Sequence, residues 1–295
     1  MKLNEASRFS NFDVKNDGQF YSLGFVTHQS NDMLVFIEDK KYITKLLENP
    51  LIRCVITTES LGSRLPSDLG LAVCYSPRRT FYELHNYLAT KTEFYWKSYP
   101  TKIDESAKVN PTAYIADRDV IIGKGVVIEP NVTILKRVLL EDNSIIRAGT
   151  VLGSEGFEFK RFGEDILHVS HAGGVRIGKR VEIQGNSNVD RAVFGGYTEI
   201  GDDSKIDTMV HVGHNIKIGE RCLIAAQTVL AGSTLLGNEV WVGPHSVVSS
   251  ELSIGDKAHI TIGSVVTKDV LPSQRVSGNF AIDHKKFIAF LKNIR

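Results

Sequence analysis

The chain contains 295 residues, enough for one to three domains and for a sizeable buried core. Its 35 basic and 34 acidic residues nearly balance, so charge does not favour nucleic acid or an anionic membrane as a partner. The N-terminus lacks the apolar core of a signal peptide, and no run of 18 apolar residues offers a membrane span. The three cysteines, Cys54, Cys74 and Cys222, form no CxxC pair, which predicts a reducing, cytoplasmic location without disulfides.

Residues 1–100 have the pattern of a small α/β domain. Its predicted strands are the short, β-rich apolar runs at residues 33–37, 52–58 and 69–74. Helical spacing predicts one helix at residues 40–49 and another after Pro77, where Phe81, Leu84 and Leu88 share one face. Strands that alternate with helices indicate an α/β unit.

Residues 101–270 repeat an aliphatic residue every six positions. Twelve consecutive positions of this repeat are aliphatic, namely Ile200, Ile206, Val212, Ile218, Ile224, Leu230, Leu236, Val242, Val248, Ile254, Ile260 and Val266. Three such hexads make one triangular 18-residue coil of a parallel β-helix, with the aliphatic side chains inside. The period does not determine the hand of the coil, although the general crossover rule favours a right-handed one.

Two segments depart from the repeat. The first is an insertion at residues 153–174, and a long insertion in a solenoid is expected to protrude from one face and to carry function. The second is the tail at residues 271–295, where Ile282, Phe287, Phe290 and Leu291 predict a short helix that covers the open end of the coil.

Two histidines, His211 and His214, lie inside the repeat on either side of the inward-facing Val212, so neither occupies a core position. A histidine suits general-base catalysis because its ordinary pKa lies near neutrality, and His214 is the candidate for that role. An exposed histidine without a role is the alternative. The HxxH spacing is also compatible with a metal, but no cysteine or carboxylate pattern offers a third ligand, so no metal is expected.

Several segments together resemble one enzyme family. They are VFIEDKKY (35–42), GSEGFEF (153–159), GNSNVDRA (185–192) and KIDTMVHVGHNIKIG (205–219). With these motifs the chain resembles the UDP-3-O-acylglucosamine N-acyltransferases of lipid A synthesis over roughly residues 20–270. The resemblance implies a left-handed β-helix, a homotrimer, and transfer of an acyl group from a thioester to the amine of a nucleotide-linked amino sugar.

The resemblance also implies roles for residues around the HxxH pair. It makes His214 the general base, and it makes Gly232, one 18-residue coil further on, the backbone donor to the oxyanion. A corner glycine without a catalytic role is the alternative for Gly232. Asp207 would orient the imidazole from an adjacent coil or subunit, unless it is a solvated turn residue, and Asn215 would hold the sugar or the backbone.

Other residues that match the family point to the substrate. Phe36 and Tyr42 match aromatic residues that sandwich uracil, the alternatives being a core and a helix-face residue. Asp190 and Arg191 match the family's DR pair, where Asp190 is a candidate substrate contact and a structural ion pair is the alternative.

Two departures from the family concern the donor and acceptor. Where the lipid A enzymes carry a second histidine, this chain has Glu251, which cannot act as a neutral imidazole donor and stays a candidate substrate contact. The family's longer C-terminal helical extension, which engages acyl carrier protein, has no counterpart before Arg295. The tail at residues 261–279 instead resembles sugar acyltransferases that use acyl-CoA, with Lys268 as a phosphate contact or a solvated lysine.

The sequence therefore favours an N-acyltransferase for a dTDP- or UDP-linked amino sugar, with acyl-CoA as the donor, in surface polysaccharide or glycoconjugate synthesis. One alternative is the lipid A enzyme itself, with acyl carrier protein as the donor. An alternative of another class is a β-helix used as a scaffold without catalysis. A zinc enzyme of the γ-carbonic-anhydrase kind would require three histidines from adjacent subunits.

Overall fold

The structure, a computed structural model, describes residues 1–278, 281 and 283–293. It begins with a five-stranded sheet in the order β1-β5-β4-β3-β2, in which β1 is antiparallel to β5 and the other pairs are parallel. The strands are β1 (Asp13–Asn16), β2 (Ser22–Leu23), β3 (Met33–Phe36), β4 (Ile52–Thr57) and β5 (Gly70–Val73). The helices are α1 (Leu3–Ala6), α2 (Ile43–Glu48), α3 (Glu59–Gly62) and α4 (Pro77–Lys91), with a 3₁₀ turn at Lys40–Tyr42 before α2.

The predicted helix after Pro77 is confirmed as α4, which begins at that proline. Pro77 suits the first helical position because its missing N–H has no partner there in any case. Phe81, Leu84 and Leu88 are fully buried, as their shared face predicts. The three predicted strands are confirmed as β3, β4 and β5, within one residue at each end.

The hexad region forms a three-sided parallel β-helix, which confirms the predicted fold class. Its first face contains strands Lys108–Val109, Val127–Ile128, Ile145–Ile146, Glu182–Ile183, Lys205–Ile206, Leu223–Ile224, Trp241–Val242, His259–Ile260 and Arg275–Val276. Its second face contains Tyr114–Ile115, Thr133–Ile134, Val151–Ser154, Asn188–Asp190, His211–Val212, Val229–Leu230, Val247–Val248 and Val265–Val266. Its third face contains Lys102–Ile103, Val120–Ile122, Val138–Leu140, Gly174–Ile177, Tyr197–Ile200, Lys217–Ile218, Leu235–Leu236 and Ser253–Ile254.

The inward aliphatic residues hold the coils in register. All twelve predicted hexad positions are buried, the most exposed being Val266 at 7%. Burying one such side chain stabilises the fold by about 1.5–3 kcal/mol, and each coil obtains this only from its neighbours. Residues 18 apart therefore pair directly, as Val212 does with Leu230. Turn residues such as Asn215, at φ 60°, adopt the left-handed conformation that sharp corners require.

The insertion leaves the coil after the second-face strand Val151–Ser154 and returns at Gly174 on the third face. It forms a hairpin of strands Phe159–Phe162 and Asp165–His168. It does not simply protrude, because α4 holds its returning strand. His85 Nε2 donates to the Ser170 carbonyl oxygen at 2.7 Å, and Asn86 both donates to the His168 carbonyl at 2.7 Å and accepts from the Ser170 N–H at 2.8 Å.

The tail contains the predicted helix, α5 (His284–Asn293), but the predicted cap over the end of the coil is wrong. Phe287 and Phe290 are 44% and 55% exposed, so these side chains do not pack into the β-helix. Ile282, also assigned to this helix from the sequence, lies outside the described residues. Across the part of the chain that the structure describes, no helix has the length and apolar character needed to cross a membrane.

The contact between α4 and the insertion predicts a loss of stability in acid. His85 is fully buried, and burial lowers its pKa to about 4, so the folded protein holds it neutral while the unfolded chain protonates it near pH 6.5. The unfolded state therefore binds more protons below that pH. We expect the free energy of unfolding to fall by about 2 kcal/mol from this group between about pH 6.5 and pH 5.

Urea unfolding at both pH values measures this effect. His85→Gln should reduce the pH dependence whatever its stability at neutral pH, while His245→Gln, which removes an exposed turn histidine, should retain it. An unchanged slope in His85→Gln would show that this histidine is not the acid-sensitive group.

Candidate active site

His214 lies at the corner between the second and third faces, two residues after the inward Val212. The next coil places Gly232 directly against its imidazole ring. A Cβ atom on Gly232 would lie 2.5 Å from Cε1 and 2.6 Å from Nε2 of His214, so any larger residue at this position would displace the imidazole ring. The structure therefore brings together the two residues that the 18-residue period relates.

Asn215 determines which nitrogen of His214 carries the proton. The Asn215 side-chain oxygen accepts the Val193 N–H at 2.9 Å, which establishes the orientation of the amide. The same oxygen lies 3.2 Å from Nδ1 of His214. Because an oxygen can only accept, Nδ1 must be the protonated nitrogen of the neutral ring, and Nε2 retains its lone pair. Asn215 therefore has the orienting role that the sequence assigned to Asp207.

The insertion adds groups to this corner that the sequence did not single out. Glu158 Oε2 lies 3.6 Å from Nε2 of His214, and the Glu158 side chain is only 15% exposed. The His171 ring packs edge-on against the His214 ring, with centroids 5.5 Å apart. Gly156 passes so close that a Cβ there would lie 3.2 Å from His171 and 3.3 Å from His214. The interruption of the hexads and the family-like stretch GSEGFEF (153–159) were the signals in the sequence that this segment mattered, although neither assigned a role to Glu158 or His171.

Burial disfavours the charged forms of the neighbouring histidines. Burial lowers the pKa of His171 to about 3, and the nearby charges of His214 and Arg191 act in the same direction. Burial also lowers the pKa of His28, in the loop before β3, and the charge of His214 adds to that effect. Near neutral pH, His171 therefore contributes no positive charge that would oppose protonation of His214.

Asp207 is not part of this corner in the described chain. It follows the first-face strand Lys205–Ile206 and lies at the corner between the first and second faces. Its two carboxylate oxygens accept the N–H groups of Thr208 at 2.7 Å and Ala226 at 3.1 Å. Within the chain, its carboxylate holds the turn backbone and does not contact the His214 imidazole. A contact from an adjacent subunit stays a prediction.

Asp190 holds the beginning of the insertion in place through Ser154. It is 4% exposed, and its carboxylate accepts the Ser154 hydroxyl and the Asn188 amide, both at 2.7 Å. His211 Nε2 lies 3.6 Å from the other carboxylate oxygen. In the described chain these contacts of Asp190 are structural, and its contact with substrate stays a prediction. The Arg191 guanidinium forms a structural ion pair, the stated alternative for this motif, with Glu155.

A cleft of about 600 Å³ lies between the N-terminal domain and the coil. Phe36, Tyr42 and Glu251 all line it, although they are far apart in sequence. Tyr42 is 39% exposed, whereas Phe36 is half-buried and packs on Phe81 with ring centroids 5.0 Å apart. Arg78 also lines the cleft. With Phe25, which also lines the cleft, the arrangement offers three aromatic side chains and a guanidinium to a planar, phosphorylated ligand.

The corner of His214 continues along the coil axis. Gly232, Ser250 and Lys268 each stand two residues after an inward aliphatic residue, as His214 does, one coil further each time. Glu251 joins this corner, since its N–H donates to the Gly232 carbonyl at 3.2 Å. Lys268 is exposed and stands about 14 Å from His214 along the stack, at about 4.8 Å per coil.

One group of side chains has the composition of a metal site. Glu155, His168 and His171 each place a ligand atom within 4.8 Å of the others. Several of the polar atoms in this group have protein partners: Glu155 pairs with Arg191 and with His168 Nε2 at 3.1 Å, and His171 Nε2 accepts the Gly156 N–H at 3.1 Å. Nδ1 of His171 is buried without a hydrogen-bond partner among the described residues. The HxxH pair is not part of this group.

The chain is similar to known proteins in both sequence and fold. The family model described as bacterial transferase hexapeptide (six repeats) matches residues 119–154 and 197–232. A UDP-3-O-acylglucosamine N-acyltransferase of Helicobacter pylori is 30% identical over an alignment that covers 100% of this chain and 94% of that protein. The protein of the same name from Bordetella pertussis is 27% identical, with 87% of this chain and 79% of that protein covered.

A solved structure shares the fold. UDP-N-acetylglucosamine acyltransferase from Campylobacter jejuni has a TM-score of 0.52 and 22% identity, covering 66% of this chain and 81% of that one. At this identity the likeness shows the β-helix fold alone.

The hydrogen bond from His214 to Asn215 predicts a single tautomer. In ¹⁵N NMR spectra of the neutral imidazole, we expect Nδ1 of His214 to be protonated and Nε2 to be unprotonated. Asn215→Ala should mix the two tautomers, because it removes the only side-chain acceptor for Nδ1–H found among the described residues. Asn186→Ala is the matched control, since Asn186 has a similar turn conformation (φ 58°) in another coil. A single, unchanged tautomer in Asn215→Ala would contradict this assignment.

Proposed function

Because this chain belongs to the UDP-3-O-acylglucosamine N-acyltransferase family, we propose that it transfers an acyl group from a thioester to the free amine of UDP-3-O-acylglucosamine. The chain is an acyltransferase with the hexapeptide-repeat fold. The observation that carries the proposal is the corner where His214 Nε2 keeps its lone pair beside Gly232. The full-length relatives favour this acceptor over the dTDP-linked sugar with acyl-CoA that the sequence favoured first.

The proposed reaction uses His214 as the base. The acceptor nitrogen attacks the thioester carbon with its lone pair, and the carbonyl π electrons move to oxygen. Nε2 of His214 takes the proton that the nitrogen must lose, as a general base does. When the tetrahedral intermediate collapses, the carbon–sulfur bond breaks and the proton passes from Nε2 to the leaving thiolate. The amide and the free thiol result, and His214 is again neutral.

Gly232 is the proposed donor to the oxyanion. Turn N–H groups at comparable positions elsewhere are bound by a side chain from the next coil, as Glu220 N–H is by Asn238 at 2.9 Å. The residue one coil beyond Gly232 is Ser250, and no acceptor for the Gly232 N–H is present among the described residues. A free backbone donor beside the base can stabilise negative charge as it develops on the thioester oxygen.

The cleft beside this corner is the proposed site of the UDP group. Phe36 and Tyr42 offer rings for stacking on uracil, worth about 1–3 kcal/mol. Arg78 offers a charged donor for the diphosphate, and it was not singled out from the sequence. Glu251, which lines the cleft from the coil, would lie at the sugar between the nucleotide and His214.

The proposed donor is an acyl carrier protein, the donor of the family that the motifs resemble. Carrier proteins and CoA present the same phosphopantetheine thioester. The corner that runs from Gly232 to Lys268 would hold this arm, with Lys268 near its phosphate. The site would be completed in a homotrimer, which the resemblance implies.

The assignment of His214 predicts a large and selective loss of activity. His214→Gln should lower kcat by at least about 100-fold, because it removes the base but retains a polar side chain. His211→Gln should keep most of the activity, since His211 contacts Asp190 and not Gly232. Steady-state acyl transfer measures both. Equal losses in the two variants, or full activity in His214→Gln, would contradict the assignment.

The acceptor and the donor are tested by a mass-spectrometric acylation assay in which each candidate sugar nucleotide is combined with each candidate acyl thioester. We expect UDP-3-O-acylglucosamine with an acyl carrier protein thioester to give kcat/KM at least about tenfold above the acyl-CoA pair, a difference of about 1.4 kcal/mol. UDP-N-acetylglucosamine, whose amine is already acylated, is the negative control. Higher activity with acyl-CoA and a dTDP-linked amino sugar would restore the reading first favoured by the sequence.

A further inference from the structure

Glu158 of the insertion faces the proposed base, and the motifs that match the family assign it no role. We infer that Glu158 is a positioning residue for His214, whose carboxylate forms an ion pair with the imidazolium produced when the acceptor amine loses its proton. The inference rests on the proposed function, because only a base that cycles between neutral and charged forms would use such a partner.

The geometry is that of an ion pair and not of a hydrogen bond. Glu158 Oε2 and His214 Nε2 are 3.6 Å apart, and the two side chains are 15% and 22% exposed. At this distance the carboxylate attracts a charged ring but does not occupy the Nε2 lone pair, which stays available to the amine. With Nδ1–H bound to Asn215, the neutral ring presents only a lone pair to Glu158 and gains nothing from it. The attraction therefore arises when the proton is transferred, which is where it assists the reaction.

The positive charge of Lys160 reduces the negative charge that the Glu158 carboxylate presents to His214. Lys160 lies two residues after Glu158 along the chain and pairs with the other carboxylate oxygen, Oε1. The Lys160 ammonium also lies 5.4 Å from the centre of the Tyr82 ring, which is 2% exposed. The lysine is thus held on the N-terminal domain, and it leaves Oε2 directed at His214.

The groups that face His214 come from several elements. Glu158 and Lys160 belong to the insertion at its hairpin, and His171 belongs to the segment by which the insertion returns to the coil. His28 belongs to the loop before β3, and Asn215 follows His214 at the same corner. Burial lowers the pKa of both His171 and His28, which favours their neutral forms. Among the described residues at this corner, Glu158 is then the anion closest to the imidazolium.

Two variants should move the titration of His214 in opposite directions. Glu158→Gln removes the attraction, so the NMR titration midpoint of His214 and the acid limb of the kcat/KM profile should move to lower pH. Lys160→Met frees the full charge of Glu158, so both should move to higher pH. The KM for the acceptor should change little in Glu158→Gln, while kcat falls by less than about tenfold, since only part of a change in basicity reaches the rate.

Controls separate this role from a structural one. Glu158→Asp should recover part of the wild-type midpoint, and Glu164→Gln, an exposed carboxylate in the same hairpin, should match the wild type. The inference would be overturned if the His214 midpoint moved in the same direction in Glu158→Gln and Lys160→Met. It would also be overturned if the midpoint did not move in a Glu158→Gln protein that melts as a folded protein. A raised KM for the acceptor with an unchanged midpoint would instead make Glu158 a substrate contact.

The His214 midpoint is measured by NMR without substrate, so its result does not depend on whether the proposed acyl transfer occurs. A wild type without acyl transfer would refute the function, while the midpoints would still show whether the pair exists. A wild type that transfers acyl groups, with a midpoint that does not respond to Glu158, would refute the pair alone.

Discussion

The stacking of 18-residue coils is the constraint on which the rest of the structure depends. Inward aliphatic residues lose water only when coils lie in register, so Val212 must pair with Leu230. That pairing sets Gly232 against the His214 ring, at a distance where a Cβ would collide. The same packing that stabilises the fold therefore positions the proposed base beside the proposed backbone donor.

The insertion is not positioned by coil stacking, because it packs against both the N-terminal domain and the coil. Val169 of the insertion and Phe194 of the coil share a buried cluster with Phe81 and Leu84 of the N-terminal domain. Hydrogen bonds from α4 then hold the returning strand of the insertion. The N-terminal domain therefore does more than line the proposed nucleotide cleft, since it holds the segment that carries Glu158 to His214.

The residue patterns predicted local and periodic features well. The burial of the hexad residues, the start of α4 and the neighbourhood of His214 and Gly232 followed from spacing alone. Asp207 does not reach His214 within the chain, because a turn aspartate has backbone N–H groups close by that bind its carboxylate. Asn215 had been matched only to sugar or backbone, yet its left-handed turn directs its oxygen to both Val193 and His214.

The sequence by itself determined the fold, the register and one corner of the site, because a residue's neighbour one coil away is a fixed 18 positions along the chain. Only the tertiary structure decided the partners of that corner. His85 and Ser170 are 85 positions apart, and Glu158 and Lys160 lie in a segment without a repeat, so no period relates them to His214. Their positions depend on how the apolar surface of α4 packs against the insertion, which is a property of three-dimensional shape.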